Sequence, residues 1–416
     1  MLLYRFGDSK MNALGESVRA LEPIQPSFTR DGARFVRLLL KGGLLQLVTV
    51  GFYRFWLLTD IRRHIWSATS VEGDALEYTG RGKELLFGFL FALAILAPVF
   101  AIYFLVGLEA ERYRAFASAP LYLFLFFFGQ YAVYRGRRYR LTRTIWRGVR
   151  FWMTGSGWKY ALRSLGWLLL VVVTLGIVYP WREAALERYK MANTRFGDLQ
   201  GAFLGSAWNL LRQLAPLWAI AVLLLGAFIG KFYMAFGGIP SLAAGAGTIK
   251  QLPPWFWALV TIGSFYGPIA LALAQAIEWR WWLNGIRLGA VAFESALPLR
   301  AILVLWLKLF GVILLVFLAF GILAAFAGFL TTKLVAPQVL ASLKYVVVGL
   351  AILAYLLLLL VIGVISRYYL QHQLWRALVV SLTIRNLSAS DNAIAQGAPA
   401  NALGEGLLDG LDMAGF

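Results

Sequence analysis

Cysteine is absent from all 416 residues. That excludes disulfides, thiolate nucleophiles and Cys-based metal sites together. Histidine is nearly as scarce: His64 and His372 are the only two, and neither has a carboxylate or a second histidine at the sequence spacing of a zinc site. Charged residues make up only 14% of the chain, and the acidic ones are few, 20 Asp and Glu against 39 Lys and Arg. Gly155-Ser156-Gly157 and Gly205-Ser206 lack the full Gly-x-Ser-x-Gly spacing of a nucleophile elbow. No phosphate-binding loop of the P-loop type occurs either. The expectation is a protein without enzymatic activity, cofactor or metal.

What is present is apolar. Hydrophobic residues reach 60%, aromatics 15% and the mean hydropathy +0.71, more than a soluble core can hide. Six stretches approach or exceed the roughly 20 residues that cross the hydrocarbon of a bilayer: Leu85 to Leu108, Ala119 to Tyr134, Leu214 to Phe236, Trp255 to Ile277, Ala301 to Leu330 and Ser342 to Ser366. Short connectors join them pairwise into three hairpins. Two shorter stretches, Gly42 to Tyr53 and Gly166 to Pro180, have the length of re-entrant or interfacial segments.

Charge decides whether those two cross or dip. If both dip, 30 of the 39 basic residues fall on one side of the hairpins and 4 in the hairpin tips, which is the positive-inside pattern. If both cross, that asymmetry largely disappears. Met1 to Arg37 mixes acidic and basic residues without an apolar core, so no signal peptide is expected there. The reading is therefore an all-α polytopic protein with about six transmembrane helices in three hairpins, two short dipping helices and short β elements at the cytoplasmic face. Both termini are expected in the cytoplasm. The net charge of +19 suits anionic lipid headgroups rather than nucleic acid.

A tandem repeat is visible beneath the hydropathy. Thr49, Gly51, Tyr53 and Trp56 answer to Thr174, Gly176, Tyr179 and Trp181 at offsets of 125 or 126, with Pro180 before the second Trp. Each copy continues into a basic segment, a Gly-Asp pair (Gly73-Asp74, Gly197-Asp198) and a short alternating run that reads as a strand. The segments are 1–37 (N-terminal), 38–158 (first repeat), 159–297 (second repeat), 298–387 (last hairpin) and 388–416 (a disordered tail). In that tail Leu407, Leu408 and Leu411 share one face of a possible docking helix for a protein partner.

The densest candidate site is a basic aromatic belt, Arg135, Arg137, Arg138, Arg140, Arg143, Trp146 and Arg147. It suits contact with anionic phospholipid headgroups, or plain anchoring of the helices. Polar groups at membrane depth are few, and Glu278 beside Arg280 reads as a local ion pair with no second carboxylate for a proton relay. Small residues inside spans, among them Gly226, Gly230, Gly311, Gly321 and Gly328, point to a compact helical bundle, and a homo-oligomer is compatible with them.

Thr174-Leu-Gly-Ile-Val-Tyr-Pro-Trp181, with Arg188-Tyr189, Asn193-Thr194-Arg195 and Gly73-Asp74-x-Leu76-x-Tyr78-Thr79-Gly80, resembles the YjgN-type family of bacterial inner-membrane proteins. The first copy departs from the pattern, with Arg54 where proline is expected. The resemblance implies a polytopic inner-membrane location in a family of unknown function, and it carries no substrate or catalytic residue. Two functions remain open: passage of a small solute through a polar cavity between the repeats, or binding and organisation of anionic lipid without transport.

Overall fold

Long apolar runs become long helices, because in hydrocarbon every backbone polar group must be satisfied within the segment. The computed structural model describes residues 23–29, 31–112, 118–236, 253–334 and 337–400. The docking face expected at Leu407, Leu408 and Leu411, and residues 1–22 of the N-terminal segment, lie outside them. In chain order the described elements are β1 (Ser27–Phe28), α1 (Gly32–Val48), α2 (Arg54–Ser67), β2 (Thr69–Val71), β3 (Asp74–Ala75), β4 (Glu77–Tyr78), α3 (Gly82–Arg112) and α4 (Ser118–Thr142). Next come β5 (Thr144–Trp146), β6 (Val149–Met153), α5 (Gly157–Val173), α6 (Tyr179–Ala192), β7 (Thr194–Phe196), β8 (Leu199–Phe203), α7 (Ala207–Phe236) and α8 (Pro254–Gly285). The chain closes with β9 (Ile286–Leu288), β10 (Val291–Ser295), α9 (Leu299–Leu334), α10 (Lys344–Arg367), a π-helical segment (Tyr368–Gln373), α11 (Leu374–Val380) and β11 (Leu382–Arg385).

Among the described residues, five helical stretches are long and apolar enough to cross a membrane: Gly82–Val106, Ala207–Met234, Pro254–Gly285, Leu299–Lys333 and Lys344–Val380. The sixth expected stretch is helical as α4 but is not in that set: its described apolar part is short, covering residues 118–134 before Arg135, Arg137, Arg138 and Arg140. Among the described residues, the small residues expected to draw the spans into a compact bundle mediate no close helix contact. Few residues of the five apolar windows are buried, and a Cβ at Gly226, Gly230, Gly311, Gly321 or Gly328 would meet nothing within 4 Å. These helices are apolar on faces turned away from the protein, as helices surrounded by lipid are.

The all-α class is overturned by an eight-stranded, curled antiparallel sheet in the order β11-β10-β9-β8-β7-β6-β5-β4. Each pair of helices hands the chain to a β-hairpin, β5–β6 after α4, β7–β8 after α6 and β9–β10 after α8. Neighbouring hairpins then pair, Phe151 opposite Phe196 and Phe203 opposite Ile286, and β11 completes one edge with Ser295 opposite Leu382. The tight turns are chemically cued: Arg147 and Gly148 both have positive φ (48° and 75°), as a two-residue turn matched to strand twist requires. A smaller sheet, β1-β2-β3, lies alongside.

The two short apolar segments are the tips of helical hairpins, α1–α2 and α5–α6, with 17 and 14 residues in each pair. Val50 and Gly51 (φ 51° and 90°) repeat in Leu175 and Gly176 (φ 50° and 90°). The threonine hydroxyls close the turns alike, Thr49 donating to the Leu45 carbonyl at 2.7 Å and Thr174 to that of Leu170 at 2.8 Å. A constant offset of 125 pairs Thr49 with Thr174, Gly51 with Gly176 and Trp56 with Trp181, but places Tyr53 opposite Val178 and Arg54 opposite Tyr179, so only the Tyr53–Tyr179 match falls out of register. The tips are apolar and bare: Val50 is 88% exposed and Leu175 82%.

Candidate functional site

Strands of the curled sheet and the helix ends line a partly open cavity of about 700 Å³, within the range of small-molecule sites. Strands supply Trp146, Phe151, Phe196, Leu288, Val291, Phe293 and Ile384; helices supply Trp66, Trp279, Trp281, Trp282 and Trp375. Several indole N–H groups are satisfied by the protein. Trp66 donates to Thr144 Oγ1 at 3.0 Å, Trp281 to the Ser206 carbonyl at 2.9 Å and Trp375 to Thr69 Oγ1 at 2.9 Å, while Trp66 and Trp375 stack at 5.3 Å. With those donors occupied, these side chains offer the cavity apolar surface.

One wall is ionic. Arg137 and Arg140 enter from α4, Glu183 and Glu187 from α6, and Gln275 and Glu278 from α8. Glu187 accepts from Arg137 Nη1 at 3.4 Å and pairs closely with Lys190. Burial alone would raise the Glu187 carboxyl, yet Lys190 and Arg137 hold it below the usual carboxylate range. Burial pushes the Glu183 carboxyl up, against the pull of its partner Arg182, and pushes the Lys190 ammonium down against that of Glu187. Tyr179 donates to Glu278 Oε1 at 2.8 Å, and burial raises its hydroxyl. Three carboxylates thus meet at one cavity. The expected Glu278–Arg280 ion pair is not among the described residues: Arg280 donates instead to Gln213 Oε1 at 2.9 Å.

The belt is distributed through this structure. Arg137, Arg140 and Trp146 line the cavity. Arg143 pairs with Glu84 at 3.0 Å, and Arg135 lies over the Tyr131 ring at 5.9 Å. Arg138 is half-buried on α4. Arg147 stacks on Trp146 at 4.6 Å and reaches Asp74, Glu72 and Asp391 at 2.5, 2.8 and 3.1 Å. The repeat residues Thr49, Gly51, Thr174 and Gly176 build the hairpin turns, Tyr53, Trp56, Pro180 and Trp181 the starts of the following helices.

Sequence spacing missed two features. His64 and His372, 308 positions apart, stack at 6.4 Å against Phe35, and burial lowers the His64 imidazole. The tail expected to be loose from 388 begins instead on the sheet, with Leu387 and Ser390 buried in the cavity wall.

The model of a family of bacterial proteins of unknown function, DUF898, matches residues 24–410. The chain belongs to the DUF898 family. A relative, the inner membrane protein YjgN of Escherichia coli O157:H7, is 25% identical over 157 residues, 36% of each chain, so the matched part spans about a third of that protein. No solved structure matches this DUF898 chain. The YjgN-type resemblance read from the Gly-Ile-Val-Tyr-Pro-Trp block holds.

Proposed function

We propose that this DUF898 protein is a multi-pass protein of the bacterial inner membrane that binds an amphiphilic molecule in the cavity beneath its curled sheet and does no chemistry on it. The observation that carries this reading is the cavity itself: about 700 Å³, walled mainly by aromatic and aliphatic side chains, with one ionic side. An apolar body fits the aromatic walls, and a polar head fits Arg137, Arg140 and Glu278. The inner-membrane setting is supported by the five apolar helices and by the location in the relative's name.

The charge asymmetry favours the sheet layer and both termini in the cytoplasm, with the bare α1–α2 and α5–α6 tips dipping into lipid. Their matched lengths and turn dihedrals support an internal duplication. Passage of solute has less behind it, because the described spans turn apolar faces outward instead of enclosing a lumen. Of the belt arginines, Arg137 and Arg140 serve the cavity in this reading, rather than a flat lipid surface.

Native mass spectrometry of the protein extracted from membranes tests the proposal. Wild type should carry one amphiphile per chain through detergent exchange, and Val291→Trp, which fills the cavity from the sheet side, should carry none. Equal occupancy in both, with unchanged circular dichroism, would refute it.

A further inference from the structure

Resting on the cavity reading, we propose that residues 386–400 are a releasable strap that gates the cavity on its sheet side. Asn386, in the left-handed region (φ 55°), turns the chain out of β11. The next turn, Leu387 to Ser390, then places two residues in the cavity wall, Leu387 at 6% and Ser390 at 7% exposure. From there the chain crosses the outer ends of two β-hairpins. The Ile394 N–H donates to Asp198 Oδ1 at 2.9 Å in the β7–β8 turn, and Asp391 meets Arg147 at 3.1 Å in the β5–β6 turn. Arg143 donates to the Ala400 carbonyl at 3.3 Å.

These fastenings differ in kind from those of the sheet. The Asp391 side chain is 52% exposed, and an exposed ion pair contributes little, about 0–1 kcal/mol. Releasing Asp391 also strands no charge, because Arg147 keeps Glu72 and Asp74. Leu387 and Ser390 are the strap's buried residues, with Ala389 and Ala393 packed beside them and Gly397 against Trp152, whereas the rest of the wall belongs mostly to the strands of the ladder and to long helices. Among the described residues lining the cavity, those of the strap can therefore leave it without breaking the sheet. Local openings of this size, weakly held and solvent-exposed, occupy the low end of a protein's stability range.

The cysteine-free chain allows one variant to test both states. In Arg147→Cys/Asp391→Cys the latch is lost when the thiols are free, and a disulfide or a short bis-maleimide restores it covalently, with linkage verified by mass. Entry of N-phenyl-1-naphthylamine is followed in lipid nanodiscs by energy transfer from tryptophan, with empty discs subtracted. The unlinked variant should take up the probe about 2- to 5-fold faster than wild type, and the linked one more slowly than wild type. A chain ending at Arg385 should match or exceed the unlinked rate; if it does not fold, the linked and unlinked forms still decide. Equal rates in wild type, unlinked and linked protein would overturn the strap while leaving the cavity reading intact. Absence of saturable probe binding in every form would overturn the cavity reading, and the strap with it.

Discussion

Replacing Glu187 by glutamine removes the carboxylate that two largely buried cations share. Arg137 and Lys190 both reach this carboxylate, and all three side chains are largely shielded from water. Deleting one member of a buried ionic set costs about 3–5 kcal/mol, because the remaining charges stay desolvated and unpaired. At roughly 2.1 cal/mol/K of unfolding entropy per residue, the chain would lose about 3–6 °C of Tm if it unfolds as one unit. The assay is thermal unfolding in detergent, run as a cycle with Lys190→Met. The double variant Glu187→Gln/Lys190→Met removes one cation with the anion, so it should recover at least half the loss. The pH dependence has a definite sign. Since the folded Glu187 carboxyl is held below its ordinary value, its stabilisation is present above about pH 4.5 and is lost as the pH falls. Wild type should lose its advantage over Glu187→Gln on acidification. A single variant within experimental error of wild type at neutral pH, or a double variant no better than the single, would refute this account of the ionic wall.

Further outcomes follow from packing. A Cβ at Gly201 would meet the Met191 and Thr194 carbonyl oxygens at 2.6 and 2.9 Å, so Gly201→Ala should lower Tm clearly, while Gly230→Ala, with open space around it, should be neutral or gain about 1 kcal/mol of helix propensity. Val50→Cys and Leu175→Cys should resist water-soluble maleimide in intact membranes and be quenched by chain-brominated lipid, if the two bare tips dip into the bilayer. Ready labelling of both from water would oppose that placement. Neutralising Arg143 should leave the half-buried Glu84, which also accepts from Tyr139 at 2.7 Å, without its cationic partner; Arg143→Met should cost about 1–3 kcal/mol in the same unfolding assay, and Glu84→Gln in that background should return part of it.

The apolar runs were legible because a spanning helix is a local pattern: its length and composition are set by its own residues. So was the matched Thr-x-Gly pattern at Thr49-Val-Gly51 and Thr174-Leu-Gly176, which the structure places in left-handed turns. The eight-stranded sheet was not, although the alternating runs after Gly73-Asp74 and Gly197-Asp198 each read as strands. Strands of two to five residues carry little pattern, and their pairing partners lie a whole helical hairpin away. Leu382 to Arg385 gave no strand signal distinct from the end of an apolar helix. The ionic wall was hidden for the same reason: Arg137, Glu187 and Glu278 are 50 and 91 positions apart and meet only when α4, α6 and α8 converge. Composition alone also misassigned the start of the tail, since Ala, Ser and Asn are as compatible with a strap laid on a sheet as with a loose end.

Quenching of tryptophan fluorescence by a chain-brominated fatty amphiphile, titrated into delipidated protein in nanodiscs, bears most directly on the cavity. Trp66, Trp281 and Trp375 stand in its wall, so quenching should saturate at one molecule per chain and should fall to a linear, bilayer-only response in Val291→Trp. A linear response in wild type, indistinguishable from the filled variant, would contradict the existence of an amphiphile site under the sheet.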